Sequence, residues 1–215
     1  MLFRSDKKRI WCDVGCGVGH LLTGLKENYS SWEGVGIEAD PSEIQFAQSK
    51  GLKVVEGFIN PDEPEPELIK IIANADVVSM INVLEHIERP DKMIAFYAMH
   101  MKKGAYLVIE VPRHPSLSSF SNLVAPDLAY RHIVPPTHLQ IFSEKAMEML
   151  TTPDFCLLAQ WGFGLGYNEF LTQTMLLGQI RETTLYQQLM DIGNDIQKVI
   201  DERGFSDMMI YVYEK

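Results

Sequence analysis

Between residues 9 and 111, five short apolar runs alternate with four stretches of helical periodicity, and this rhythm restricts the fold more than any other feature of the chain. The apolar runs occupy residues 9–14, 34–38, 52–56, 75–81 and 105–111. Between the first two, residues 17–29 carry Leu21, Leu22 and Leu25 on one helical face. Residues 41–49 open with Pro41, which suits a first helical turn. Residues 68–74 and 90–101 read as two further helices. Strand, helix, strand at this spacing demands right-handed crossovers, and hence a parallel sheet with helices on both faces. Strands covered on both sides are apolar along their whole length, as these runs are.

After Pro112 the rhythm breaks. Residues 112–142 form a long connection dotted with prolines, and it holds His114, His132 and His138. A connection of that length inside a compact domain usually carries function. Ser143 then caps a helix whose apolar face is Ala146, Met147 and Leu150. Residues 155–161 read as a sixth strand, 168–203 as mostly helical, and 207–213 as a closing strand. The expectation is one α/β domain over residues 1–215: a doubly wound, mostly parallel seven-stranded sheet with helices on both faces. The segment 112–142 forms its substrate side. Met175, Leu176, Ile180, Leu185 and Leu189 in the helical segment suit either a homodimer contact or a cover over the sheet.

Charge and composition narrow the function. The net charge is −10, whereas nucleic-acid binders usually carry a basic field that displaces counterions from phosphates. A nucleic-acid partner is therefore not expected. No apolar run approaches the ~20 residues that cross a bilayer, so no membrane partner is expected. The start, Met1-Leu2-Phe3-Arg4-Ser5, lacks the apolar core of a signal peptide. Cys12, Cys16 and Cys156 are odd in number and complete no zinc pattern. They read as reduced thiols of a cytoplasmic protein, and no metal is expected.

The sharpest local feature is Asp13-Val14-Gly15-Cys16-Gly17-Val18-Gly19, between the first strand and the first helix. Glycines there let the backbone turn tightly and approach a ligand with no Cβ in the way. Dinucleotide enzymes use Gly-x-Gly-x-x-Gly at this place. Here the spacing is Gly-x-Gly-x-Gly, with an aspartate two residues before it. A carboxylate at Asp13 suits the cationic amino group of a methionine moiety better than a pyrophosphate. Glu38 ends the second strand, where a carboxylate can accept hydrogen bonds from both hydroxyls of a ribose. Together they imply an adenosine-type ligand over the carboxyl ends of strands one and two. The plainer alternative is a tight turn beside a surface acid.

On these residues the chain resembles the class I S-adenosylmethionine-dependent methyltransferases, and in particular their bacterial branch acting on small molecules. Residues 13–19 look like the first motif of that family, and Gly34-Val35-Gly36-Ile37-Glu38 looks like the second. Residues 76–87 look like the fourth strand and its exit. Lys103-Gly104-Ala105 resembles the turn before strand five, and His138-Leu139-Gln140-Ile141-Phe142-Ser143 a His-x-x-x-Phe-Ser segment after it. The resemblance implies a Rossmann-like methyltransferase fold, S-adenosylmethionine as cofactor, and a small-molecule acceptor. It implies cofactor contacts from Asp13, Gly15, Cys16, Gly17, Gly19, Glu38, Ala39, Gly57, Phe58, Ile81, Asn82 and Val83. There are two departures. Many relatives have an acid where this chain has Phe58, so the adenine is expected to rest on Phe58 and a backbone carbonyl. Relatives usually place helices before the first strand, whereas here it begins near Arg9, which predicts a short or missing lid.

Methyl transfer from a sulfonium is an in-line displacement, and positioning the nucleophile supplies roughly 7–11 kcal/mol. A general base adds about 10²–10⁴-fold when the acceptor is protonated. His138 is the first candidate base and His132 the second, with His114 behind them and Tyr130 and Arg131 as binding groups. Each histidine could instead simply bond loop backbone. His86 is read as structural, and Tyr167 and Phe170 as either core or a wall of the acceptor pocket. O-methylation or a sugar-type acceptor fits the resemblance best. The rivals are a non-catalytic S-adenosylmethionine-binding protein and a nucleic-acid methyltransferase. Against the latter, Ile81-Asn82-Val83-Leu84 stands where amine-methylating DNA enzymes have (Asp/Asn)-Pro-Pro-aromatic.

Overall fold

The computed structural model describes residues 8–124, 132, 136–178 and 183–215; Tyr130, Arg131 and Ile180 lie outside them. The first half runs β1 (Arg9–Val14), α1 (His20–Asn28), β2 (Trp32–Glu38), α2 (Pro41–Ser49), β3 (Val54–Glu56), α3 (Pro66–Asn74), β4 (Val77–Ile81), α4 (Pro90–His100) and β5 (Tyr106–Pro112). The second half adds α5 (Leu117–Val124), α6 (Glu144–Thr151), β6 (Cys156–Phe163), α7 (Gly166–Leu177), α8 (Thr184–Asp191), α9 (Gly193–Glu202) and β7 (Met208–Glu214).

The sheet has seven strands in the order β3-β2-β1-β4-β5-β7-β6. Strands β1 to β5 are parallel, and β7 runs antiparallel between β5 and β6. This is the doubly wound, mostly parallel sheet that the rhythm predicts. The order reverses between β1 and β4, which opens a crevice at their carboxyl ends. Alternate residues of β1 feed two cores. Cys12 and Val14 join Ile72, Met80, Leu107 and Ile109 in the larger one. Trp11 packs against the smaller one, where Leu22, Leu25, Ile44 and Ala47 of α1 and α2 meet Val54. Ile72, Leu107 and Ile109 are fully buried, and truncating one to alanine costs about 2–5 kcal/mol.

Two sequence expectations need correction. The first helix does not begin at Gly17. Gly15, Gly17 and Gly19 have φ of 67°, 54° and 79°, outside the helical region, and α1 starts only at His20. The connection 112–142 is not structureless, because Leu117–Val124 forms α5 with its serines turned inward. Ser118 Oγ donates to the buried carboxylate of Asp207 at 2.6 Å, and Leu165 N donates to its other oxygen at 3.1 Å. Asp207 thus ties α5 and the end of β6 to the start of β7. No sequence periodicity announces such a knot, because serine side chains serve where apolar ones usually would. The strand β6 remains an exposed edge, with Leu157, Leu158 and Trp161 each nearly half accessible.

Candidate active site

The turn after β1 gets its shape from packing as well as from glycine. A Cβ on Gly15 would stand 2.7 Å from Val83 Cγ2, and one on Gly36 only 2.4 Å from Cys16 Sγ. The turn therefore lies flat between the segment after β4 and the neighbouring strand β2. Two amides of the turn, Gly15 N and Cys16 N, donate to Ile37 O at 2.8 and 3.2 Å.

Glu38 completes this anchorage. Its Oε2 accepts from Gly17 N at 2.8 Å, while Oε1 accepts from Ala39 N at 2.7 Å and Asp40 N at 2.9 Å. Three amides hold the carboxylate in one orientation at the rim of the crevice. A carboxylate offers about four lone-pair sites, so it keeps capacity for a ligand hydroxyl.

Asp13 is buried at the end of β1, 4 % exposed. Ser79 on the adjacent strand β4 donates to its Oδ1 at 2.5 Å, and Trp11 Nε1 donates to Ser79 Oγ at 2.8 Å. Burial pushes the Asp13 carboxyl up to about 6, the Ser79 hydrogen bond opposes this, and Glu38 adds to it. Among the described residues Asp13 forms no salt bridge with a cationic side chain. A ligand cation would relieve that cost.

A cavity of about 220 Å³ opens beside Glu38 and the turn; Val14 and Gly15 line it, and Asp13, next to them in the chain, does not. Gly15, Glu38, Ala39, Gly57, Phe58 and Val83 line it, all of them singled out by sequence. Ile59, Met80, Met93 and the buried Tyr97 add an apolar floor that sequence did not assign. Gly17, Gly19 and Cys16 belong to the turn but do not line the cavity; Cys16 is buried in the smaller core, its thiol pushed up to about 12 by burial. Ile81 and Asn82 are not among the residues that line the cavity.

Asn82 lines a second, larger cleft of about 560 Å³ at the carboxyl ends of β4 and β5. Here the structure brings together Asn82, Glu85, Glu110, His132 and His138, with Phe163, Leu165 and Met208 as the apolar wall. Asn82 has φ of 54°, a left-handed conformation that asparagine tolerates better than most residues. That turn lets its Nδ2 donate to Glu110 Oε1 at 2.9 Å. Burial raises the pKa values of both Glu85 and Glu110 above the usual carboxylate range.

His138 reaches this cleft because its segment is zipped onto a 3-10 turn, Leu84–His86, that follows β4. Leu139 N and Gln140 N donate to Glu85 O at 2.9 and 3.3 Å, and Gln140 Nε2 donates to Ile87 O at 2.6 Å. His114 is exposed and lies outside the cleft, as do Tyr167 and Phe170. Glu85 and Glu110 are the residues sequence reading missed. The adjacency of Glu85 to His86 at a strand exit was the one signal that could have found the first.

The sheet order, the glycine turn and the paired acids define a doubly wound domain built for an adenosine-type ligand. A family model described as a methyltransferase domain matches residues 1–152. The chain belongs to this family, the S-adenosylmethionine-dependent class I methyltransferases. It is 26 % identical over 176 residues to the mitochondrial ubiquinone biosynthesis O-methyltransferase of Dictyostelium discoideum, covering 73 % of this chain and 52 % of that protein. It is 23 % identical over 110 residues to a trans-aconitate 2-methyltransferase of Mycobacterium tuberculosis, covering 50 % of this chain and 38 % of that protein. The matches thus span about half the length of these relatives or less. Among solved structures, an S-adenosylmethionine-dependent methyltransferase from Archaeoglobus fulgidus superposes with a TM-score of 0.61 at 21 % identity, covering 96 % of this chain and 86 % of that one. Phosphoethanolamine N-methyltransferase 2 of Haemonchus contortus, solved in complex with S-adenosyl-L-methionine, gives 0.59 at 15 % identity, covering 100 % of this chain and 50 % of that one. These two likenesses show the fold.

The residues present fit the family's cofactor. Asp13 is a buried carboxylate without a salt bridge among the described residues, Glu38 is a preoriented carboxylate at the cavity rim, and Phe58, 64 % exposed, offers an open ring at its mouth.

Proposed function

We propose that the chain transfers a methyl group from S-adenosylmethionine to a small-molecule acceptor, with an oxygen nucleophile favoured, and that residues 1–215 act as a single catalytic domain. The observation that carries this reading is the adjacency of two clefts of different character. One is apolar with an acid at its rim, as a nucleoside requires; the other holds Asn82, Glu110, His132 and His138. They meet at consecutive residues, Asn82 and Val83.

In this reading Asp13 faces the ammonium of the methionine moiety, and Glu38 accepts from a ribose hydroxyl. Phe58 and Ile59 flank the adenine. The cofactor supplies an already activated methyl group, so the protein's part is placement and proton removal. His138 Nδ1 lies 3.1 Å from His132 O. A carbonyl only accepts, so Nδ1 carries the proton and Nε2 of the neutral ring carries the free lone pair. That lone pair makes His138 the proton acceptor for a hydroxyl in the cleft, with His132 and Glu110 binding the acceptor. The relatives named for ubiquinone biosynthesis and trans-aconitate methylation support an acceptor of metabolite size bearing oxygen.

A calorimetric titration with S-adenosylhomocysteine, run beside NADH, tests the cofactor half of the reading. Micromolar binding of the first alone is expected. Binding of NADH, or of neither, overturns it.

A further inference from the structure

Glu85 and His86 have no part in methyl transfer as described above, yet they stand in one cluster with His138. A ring nitrogen of each histidine and one carboxylate oxygen of Glu85 lie within 4.8 Å of one another. Glu85 is fully buried, yet neither of its side-chain oxygens has a hydrogen-bond partner among the described residues. Burying a carboxylate without partners is costly, and such a group ordinarily pairs with a charge or coordinates a cation.

The histidines are preset as ligands. His86 Nδ1 lies 2.6 Å from Thr137 O, and His138 Nδ1 lies 3.1 Å from His132 O. Both oxygens are backbone carbonyls, so both Nδ1 atoms donate and both Nε2 atoms carry lone pairs. Metal-bound histidines are held in this way, with the second ring nitrogen donating to a carbonyl that fixes tautomer and ring plane. The two rings meet edge to face at 4.8 Å between centroids, so their orientations are also coupled.

We propose that Glu85, His86 and His138 bind one divalent transition-metal ion. Two imidazoles and one carboxylate are a borderline donor set, which favours ions of the zinc, cobalt and iron kind over magnesium or calcium. Three protein ligands leave a coordination position open, the pattern of sites that bind water or substrate. Ligand atoms about 2.1 Å from a tetrahedral ion stand roughly 3.4 Å apart, so the cluster contracts by about 1.4 Å to close on one. No Cys/His spacing in the sequence announces this set, because its third ligand arrives only when residues 137–140 are zipped onto the turn after β4.

The site borders the acceptor cleft, which Glu85 and His138 line, and in this respect the proposal rests on the function proposed above. An acceptor hydroxyl bound at the open position sheds its proton to solvent more readily, since a bound cation lowers the pKa of its oxygen ligands. The oxygen lone pair then forms the new bond to the methyl carbon. The carbon–sulfur bond breaks with its electron pair left on sulfur, giving a neutral thioether. With the ion in place His138 is a ligand and no longer the base.

The test is a titration of the chelator-treated protein with cobalt(II), followed by its visible absorption, with zinc(II) as competitor. One equivalent of cobalt should bind with nitrogen–oxygen type bands and be displaced by zinc. H86A, whose ring is exposed and whose loss spares the core, should weaken binding at least tenfold, and so should E85Q and H138A. Equal affinity in all three variants, no binding, or an intense thiolate-to-cobalt band from the cysteines would overturn the proposal. The affinity for S-adenosylhomocysteine, measured in parallel, separates the two readings. Cobalt binding without it leaves the metal site standing and removes the methyl-transfer reading; the reverse removes only the metal site.

Discussion

The two clefts that meet at Asn82 and Val83 are built by different means. The first is made from short stretches of chain: a strand, its turn, and the acid that ends the next strand. Glu38 at its rim is held by the amides of Gly17, Ala39 and Asp40, the Gly15 turn is tied to Ile37 O, and Asp13 beside it is held by Ser79 of the adjacent strand. The second draws Asn82, Glu85, Glu110, His132 and His138 from separate segments, held by tertiary hydrogen bonds such as those from Leu139 and Gln140 to Glu85. A cofactor shared by a whole family can be bound by a local motif. In the reading proposed above, the acceptor is left to the cleft assembled from distant segments.

If the division is real, damage on one side should spare the other. The largest effect belongs to the acceptor cleft. His138→Ala should lower turnover on an oxygen acceptor by about 10²–10⁴-fold, the range for losing a general base. The same variant should bind S-adenosylhomocysteine within twofold of the parent in calorimetry. Full turnover would take His138 out of the chemistry, and a large loss of cofactor affinity would collapse the distinction between the clefts.

On the other side, Asp13→Ala removes a charged partner and the acceptor of the Ser79 hydroxyl's shortest hydrogen bond. It should weaken S-adenosylmethionine binding by about 1.5–3 kcal/mol, the scale of a hydrogen bond to a charged group. Glu38→Ala should cost about 1–3 kcal/mol in the same titration, with the thermal midpoint followed alongside because the side chain also fastens Gly17. Unchanged affinity in either variant would remove that residue from the site.

The smallest effect is one of pH. The Asp13 carboxyl titrates near 6, above its ordinary value, so it is ionised at pH 7 and mostly neutral at pH 5. Only the ionised form pairs with an ammonium. Affinity for the cofactor should therefore rise with pH through this window and be about tenfold weaker at pH 5 than at pH 7. Asp13→Asn should flatten the profile. A profile equally steep in that variant would assign the titration to another group.

Much of the first cleft was legible in the sequence, and less of the second. The alternating runs forecast the five parallel strands, apolar runs at 155–161 and 207–213 the other two, and strand ends located Asp13 and Glu38. Gly15, Glu38, Ala39, Gly57, Phe58 and Val83 all line the cavity. Reading Gly17 as helical failed because the same glycines that invite a ligand hold positive φ values no helix accepts. The resemblance implied cofactor contacts from Ile81 and Asn82, neither of which lines the cavity. Asn82 turns to Glu110 instead, since a left-handed residue reverses the side chain's direction.

What the sequence settled by itself was whatever depends on neighbours along the chain. Strand and helix rhythm follow from the burial of successive residues, and the cofactor turn from the conformational freedom of glycine. Only the tertiary structure decided the rest. It placed α5 and its serines around Asp207, set His138 beside His86, and left the carboxylate of Glu85 buried without a hydrogen-bond partner among the described residues. Those outcomes depend on hydrogen bonds between segments far apart in the chain, such as His86 with Thr137 and Ser118 with Asp207. Single polar contacts at such distances leave no period in the sequence. They exist only once the sheet has brought the segments together.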